Sequence, residues 1–232
     1  MPVIVFASPK GGAGKTTSAF LLATELAHRG LNTHVIDADP NHPIAKWHAG
    51  GGKAENLVVT SNDSEEKILE DIDAASKTAD IVVVDLEGTA NLSVAYAISK
   101  ADLVIIPSQR STLDAEEAAR AVALVKRQCN VTGRQIPVSI LLTRTSPAIR
   151  SKGLKRMVNS LEKNKIDSFL TEVHEREAYK AVFDHKLTLN QITSAQVSGL
   201  DKARSNAANF AAEAMKKIQA QESSKAPGEI AA

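Results

Sequence analysis

Cysteine is nearly absent. The chain of 232 residues carries one, Cys129. An intramolecular disulfide is excluded, and a lone thiol cannot supply the two cysteines per subunit that a bridging iron–sulfur cluster needs. A single cysteine points to a reducing compartment, and the protein is expected to be cytoplasmic. Aromatic residues are scarce, at 3%. The core must therefore be aliphatic, which suits a parallel sheet packed by helices better than an aromatic-rich sandwich. Neither sign of charge is in excess. With 28 Lys and Arg against 27 Asp and Glu, the net charge is +1, so any binding of nucleic acid or anionic lipid must come from a local patch. No apolar run approaches the roughly 20 residues that span a bilayer. The opening MPVIVFAS turns polar too soon for a secretory signal. No grouping of His and Cys suggests a transition metal.

What remains, 43% hydrophobic and 24% charged, is globular in character and long enough for one real core. Short aliphatic runs alternate with helix-length segments. The runs are Val3–Ala7, Thr33–Asp37, Asn56–Thr60, Asp80–Asp85, Asp102–Pro107 and Pro137–Thr143, with a weaker one at Ser168–Val173. Most are continuous β-branched stretches, the pattern of strands buried on both faces. TTSAFLLATELAHRG (Thr16–Gly30) reads as a helix with Gly30 at C′. LDAEEAARAVALVKRQ reads as another, with Thr112 or Asp114 as N-cap and Glu116 and Glu117 near its positive end. This rhythm predicts an α/β fold: a doubly wound, mostly parallel sheet flanked by helices, with ligands beyond the carboxyl ends of the strands. Residues 1–221 are expected to form a single domain, helical over 197–221, and residues 222–232 a disordered tail. HAGGGKAEN (His48–Asn56) is expected to be a flexible surface loop.

The chemistry begins at SPKGGAGKTTS, Ser8–Ser18. It follows an aliphatic strand and opens a helix, as a phosphate-binding loop must. Gly14, Lys15 and Thr16 fit the end of the usual G-x-x-x-x-G-K-[ST] pattern, but Pro9 holds the place of its first glycine and Lys10 adds a second cation. Gly11, Gly12, Ala13 and Gly14 let the backbone aim N–H groups at phosphate oxygens, and the helix adds its positive end. Lys15 is expected to reach the β- and γ-phosphates. The Thr16 hydroxyl is expected to ligate Mg²⁺, and Thr17 to bond the α-phosphate.

KGGAGKTT resembles the deviant Walker A signature of the ParA/MinD ATPases, and the likeness extends from residue 2 to about 218. The closest types are small plasmid-partition ParA proteins and VirC1-like ATPases. The resemblance implies a P-loop fold, slow hydrolysis of ATP with Mg²⁺, and an ATP-sandwich homodimer in which Lys10 crosses to the partner's nucleotide. It implies that Asp39, in DADP after the second strand, orients the attacking water and that Asp37 lies near Mg²⁺. The alternative for these acids is to cap the short helix that follows, and for Asp37 both roles can coexist. Asp85 ends an apolar strand as in a Walker B pattern and suits Mg²⁺ binding through water. Where many relatives carry a proline pair, this chain has Glu87 and Gly88. Glu87 reads as a solvated switch-loop charge rather than a base, and Gly88 as a switch hinge. Thr143 and Arg144 stand where relatives line the adenine site.

Between Arg144 and Lys165 the chain holds seven cations against one acid, Glu162. On a helix Leu154, Met157, Val158 and Leu161 face the core, leaving Lys152, Lys155, Arg156 and Lys163 on the outer face as candidate contacts to DNA phosphates. Lys126, Arg127, Lys216 and Lys217 are weaker candidates. Tyr179 and Phe183 are expected to pack into the core or a dimer face, and His174 to cap or sit at the surface. The resemblance completes the reading: a nucleoid-associated bacterial ATPase whose ATP dimer binds nonspecific DNA and is released by a small ParB-like, centromere-binding partner, without a membrane. The alternatives are a positioning ATPase for a protein cargo such as a chemoreceptor cluster, a VirC1-like factor of conjugative DNA transfer, and, more remotely, a metabolic P-loop ligase.

Overall fold

The computed structural model describes residues 1–8, 10–87, 92–109, 112–146, 157–159, 161, 163–164 and 166–225. Strands β1 (Val3–Phe6), β2 (Thr33–Ala38), β3 (Leu57–Ser61), β4 (Ile81–Leu86), β5 (Leu103–Ser108), β6 (Val138–Thr145) and β7 (Val173–His174) form one sheet in the order β3-β2-β4-β1-β5-β6-β7. Every pairing is parallel. The expected runs match six strands to within two residues at either end. The weak seventh shortens to two residues plus an isolated bridge from Ile140 to Ser168.

The central strands carry alternate residues to opposite faces. Ile4 and Phe6 of β1, with Ile81 and Val83 of β4, join the core built with α1 (Lys15–His28), α2 (Pro43–Ala49), α6 (Glu177–Asp184) and α7 (Leu200–Lys225). Val3, Val5, Val82 and Val84 join the core built with α3 (Ile68–Ala75), α4 (Leu92–Lys100) and α5 (Thr112–Thr132). Both faces are covered, so these strands need no polar side. β3, at the edge, is the exception: Val58 is 53% exposed. Met157 and Leu161 enter the second core and Val158 packs on it, as the helical spacing predicts.

Helix α1 is apolar on most of its surface because it lies between the sheet and α7. Helix α7 buries Leu200, Ala203, Ala207, Phe210, Ala211, Ala214 and Ile218, a stripe at three- and four-residue spacing whose alanines permit close approach. It runs to Lys225, four residues past the expected boundary. Gly30 takes φ 88° after α1; its N–H reaches Ala27 O at 2.9 Å while Leu31 N–H reaches Leu26 O at 3.2 Å, the two bonds of a Schellman ending.

The segment expected to be a flexible loop is anchored. Trp47 of α2 is fully buried, its Nε1–H donates to Val182 O at 3.0 Å, and its ring meets Phe20 edge-on at 4.8 Å. The chain then turns so that Gly52 N–H reaches Trp47 O at 3.0 Å, with Gly52 buried beneath the indole. A Cβ at Gly52 would stand 2.5 Å from two ring carbons. Gly52→Ala is therefore expected to cost about 1–3 kcal/mol and lower Tm by about 2–12 °C. Thermal unfolding followed by the fluorescence of Trp47, the single tryptophan, measures it.

Candidate functional site

The carboxyl ends of β1, β2, β4, β5 and β6 converge on the loop between β1 and α1. Gly14, at φ 92°, caps α1, and Ser18 N–H closes the first turn on Gly14 O at 2.9 Å. A side chain at Gly14 would be strained by this φ and would press on Thr143, whose Cβ lies 3.3 Å from the ideal Cβ position. Gly11, Gly12, Gly14, Lys15, Thr16 and Thr17 line a cavity of about 470 Å³ with Asp39, Pro40, Asn41, Glu87 and Arg144. Lys15 is buried, and its Nζ turns back to Lys10 O at 3.5 Å. Lys10 is half-exposed and does not line this cavity. Pro9 and Gly88 lie outside the described residues.

Two hydrogen bonds hold the loop from the neighbouring strands. Thr143 Oγ1, at the end of β6, donates to Ala13 O at 2.7 Å. Gln109 Nε2, just past β5, donates to Gly12 O at 2.9 Å. These bonds engage two of the loop's carbonyls. Thr143, expected in the base site, is 1% exposed; its hydroxyl bonds the loop, and the residue also lines the smaller cavity beside Arg144. Gln109 was not anticipated; its place directly after a strand's carboxyl end is the signal that would have found it.

The two buried acids differ. Asp37 and Asp85 are register partners on β2 and β4, and both are fully buried. Asp37 Oδ2 accepts the N–H groups of Ile44 at 2.8 Å and Ala45 at 2.9 Å, so it caps α2 across the His42 turn. Oδ1 accepts only a long bond from Asp39 N–H, 3.4 Å. Burial pushes the Asp37 carboxyl upward, against the pull of the Ala45, Ile44 and Asp39 amides and of His42. The capping alternative thus describes Asp37. Asp85 has neither oxygen hydrogen-bonded among the described residues. Its pKa is pushed up to about 7, chiefly by burial; the Thr16 hydroxyl opposes this, Asp37 adds to it, Lys15 opposes it and Asp39 adds slightly. An unsatisfied buried carboxylate next to the loop's hydroxyl is the all-oxygen donor set that a hydrated Mg²⁺ takes, so the residues fit that ion. Thr16 would hold it directly and Asp85 through water.

A second cavity, of about 80 Å³, adjoins the first, sharing Gly14, Thr17 and Arg144. Ser18, Thr143, Val173, His174, Glu175, Arg176, Tyr179 and Lys180 complete it. Arg144 is turned outward by a left-handed backbone, φ 50°, where the β6–β7 register shifts between Thr143 and Thr145. Its wall is braced: Tyr179 OH donates to Asn206 Oδ1 at 3.0 Å, and His174 Nδ1 lies 2.6 Å from Thr145 Oγ1. Tyr179 is buried and Phe183 packs on Phe20 at 4.9 Å.

Of the expected DNA residues, Lys152, Lys155 and Arg156 lie outside the described residues. Lys163 is exposed, on the side away from Met157 and Leu161, as are Lys126, Arg127 and Lys216. Lys217 is engaged with Asp167 at 2.7 Å and lies 5.0 Å from the centre of the Phe169 ring. Among the described residues no helix is long and apolar enough to cross a membrane.

A seven-stranded parallel sheet with a phosphate loop at its switch point defines a nucleotide-binding P-loop protein. The profile of the VirC1 protein family matches residues 1–223. Protein ParA of Rhizobium radiobacter is 38% identical over 218 residues, 94% of this chain and 98% of that one. Protein virC1 of the same organism is 28% identical over 78% of this chain and 80% of its own. The chain belongs to the VirC1 family of ParA/MinD-type ATPases. Solved structures share the fold at lower identity. MinD of Aquifex aeolicus, in complex with MinC, has a TM-score of 0.72 and 19% identity over 93% and 96% of the two chains. An ATP complex of McdA from Cyanothece has 0.70 and 18% over 95% and 96%. MinD of Pyrococcus horikoshii with Mg-ADP has 0.68 and 16% over 93% and 96%.

Two tests follow from this geometry. Thr143→Val keeps the shape but removes the Ala13 bond, and is expected to weaken binding of an ATP analogue about 5- to 10-fold by titration. For Asp85, the native state keeps its proton up to about pH 7 while the unfolded chain loses it near the ordinary carboxylate value of 3.8. The native state binds more protons in that window, so its stability falls as pH rises through it. Asp85→Asn is therefore expected to raise Tm of the nucleotide-free protein by a few degrees at pH 8 and by much less at pH 5. It is also expected to remove the extra stabilisation that Mg²⁺ gives the nucleotide complex, read by thermal melts with and without EDTA.

Proposed function

We propose that this chain is an ATP-dependent partition or positioning ATPase acting on DNA. Two copies, each holding ATP and Mg²⁺, close on one another's nucleotides. The dimer binds duplex DNA without reading its sequence, and a small ParB-like, centromere-bound partner releases it by stimulating hydrolysis. The observation that carries this reading is the position of Lys10: it belongs to the loop, yet Lys15 and not Lys10 lines the loop's own cavity. A cation so placed serves a phosphate presented by another copy. Similarity to protein ParA over 94% of the chain supports the partition role. The protein would work in the cytoplasm, on the nucleoid.

Within each site the loop's N–H groups and the positive end of α1 hold the phosphates. Lys15, unfolding from the Lys10 carbonyl, meets the β- and γ-phosphate oxygens. Asp39, in the cavity wall, orients a water toward the γ-phosphorus, and the base occupies the second cavity beside Arg144 and Tyr179. Thr16, and Asp85 through water, would hold Mg²⁺, which would supply positive charge against that of the phosphates. Phosphoryl transfer needs mainly positioning and charge stabilisation. Arg144 is the one arginine among the described residues lining the phosphate cavity, and it sits on the side shared with the second cavity. Unstimulated turnover should therefore be slow, on the order of 10⁻⁴ to 10⁻² s⁻¹.

A second reading, a conjugative DNA-transfer factor, is favoured by the match to the VirC1 profile over residues 1–223. Both readings use the same ATP-gated dimer, and the neighbouring genes distinguish them.

The test is binding to random-sequence duplex DNA with ADP or a non-hydrolysable ATP analogue. Binding is expected only with the analogue, to weaken steeply with salt, and to be lost in Lys10→Ala. No binding in either state, while the analogue still drives dimerisation, would overturn the DNA reading.

A further inference from the structure

The turn that presents Asp39 to the phosphate cavity closes when His42 N–H donates to Asp39 O at 2.8 Å. Asp39 Oδ1 in turn accepts Asn41 N–H at 2.9 Å, so the carboxylate and the turn form one hydrogen-bonded unit. His42 occupies φ 44°, ψ 54°, a left-handed conformation that suits glycine and strains a histidine. What holds the histidine there is its ring. Nδ1 lies 3.2 Å from the Asp37 carbonyl oxygen, and Nε2 lies 2.6 Å from Asp63 Oδ1 in the β3–α3 connection. Both partners are acceptors, and the ring bridges them.

The contact is not core packing, since the Asp63 side chain is 79% exposed and touches the ring at its tip. The connection it reaches is itself well fixed. Asn62 N–H donates to the same Asp37 carbonyl at 2.9 Å, and the Asn62 amide donates to Asp71 of α3 at 2.6 Å. Asp63 therefore follows directly on a fixed residue, outside the nucleotide cavity.

We propose that His42 is a positioning residue for hydrolysis: clasped between the Asp37 carbonyl and the Asp63 carboxylate, it holds the Asp39–His42 turn so that Asp39 stays aimed at the attacking water. This rests on the reading of Asp39 as the water-orienting carboxylate. Without the clasp the turn keeps its internal bonds but loses its tether to the β3–α3 connection. Nucleotide binding, which depends on the loop after β1, is then untouched, while the chemical step slows.

The experiment uses the full chain and four variants: His42→Gly, Asp63→Ala, the two combined, and Asp39→Ala. Single-turnover hydrolysis of Mg·ATP and the Kd for a non-hydrolysable ATP analogue are measured for each. His42→Gly suits the backbone and is expected to fold with unchanged or higher Tm, to keep Kd within about twofold, and to hydrolyse about ten-fold more slowly. Asp63→Ala is expected to slow hydrolysis in the same way, and the combined variant to be no slower than His42→Gly. Asp39→Ala is expected to bind the analogue and not hydrolyse. Wild-type rates in His42→Gly and Asp63→Ala beside an inactive Asp39→Ala overturn the clasp and leave the role of Asp39 standing. An additive slowing in the combined variant, or a loss confined to Kd, overturns it too. Wild-type hydrolysis in Asp39→Ala removes the reading on which the clasp rests.

Discussion

A phosphate loop works only if its backbone carbonyls are occupied elsewhere, so that its N–H groups can turn together toward one point. Here two hydrogen bonds meet that requirement, from Thr143 to Ala13 O and from Gln109 to Gly12 O. The donors come from the ends of β6 and β5, and β5 pairs with β1, the strand that delivers the loop. The order of the sheet is therefore a functional matter: any other arrangement of neighbours would remove the donors. The αL backbone at Gly14 and its close approach to Thr143 belong to the same constraint, because a side chain there would be strained and would press on the strand.

The second consequence is electrostatic. Aliphatic strands buried on both faces end in acids, which brings Asp37 and Asp85 side by side on β2 and β4. One is satisfied by the first turn of α2 and fixes that helix; the other makes no close hydrogen bond among the described residues and has the Thr16 hydroxyl and Lys15 beside it. The unsatisfied carboxylate, its pKa pushed up to about 7 by burial, weighs against the stability of the protein once it is ionised.

Much of this was legible in the residues. The continuous aliphatic runs marked six of the strands, and the Gly-Lys-Thr loop after the first of them located the cavity. What was not legible depended on tertiary contacts. Gly52 reads as part of a loose glycine loop, yet Trp47, five residues earlier, folds over it. Thr143 reads as a base contact because of its position late in β6; it does line the cavity beside Arg144, but the bond of its hydroxyl to the loop carbonyl of Ala13 is a tertiary contact that no motif announces. Gln109 carries no motif at all. The roles of Asp37 and Asp85 could not be separated from their strand positions alone, since each ends an apolar strand; the difference lies in the α2 amides, which the turn at His42 brings back to Asp37.

The central claim is that nucleotide state controls pairing of two copies through Lys10. The direct measurement is the mass of the DNA-free protein in solution by sedimentation, with ADP and with a non-hydrolysable ATP analogue, for the natural chain and for Lys10→Ala. The account predicts a mass near the 24.7 kDa of one chain with ADP, doubling with the analogue, and no doubling in Lys10→Ala. The same mass in both nucleotide states, or a doubling that Lys10→Ala leaves intact, would contradict it.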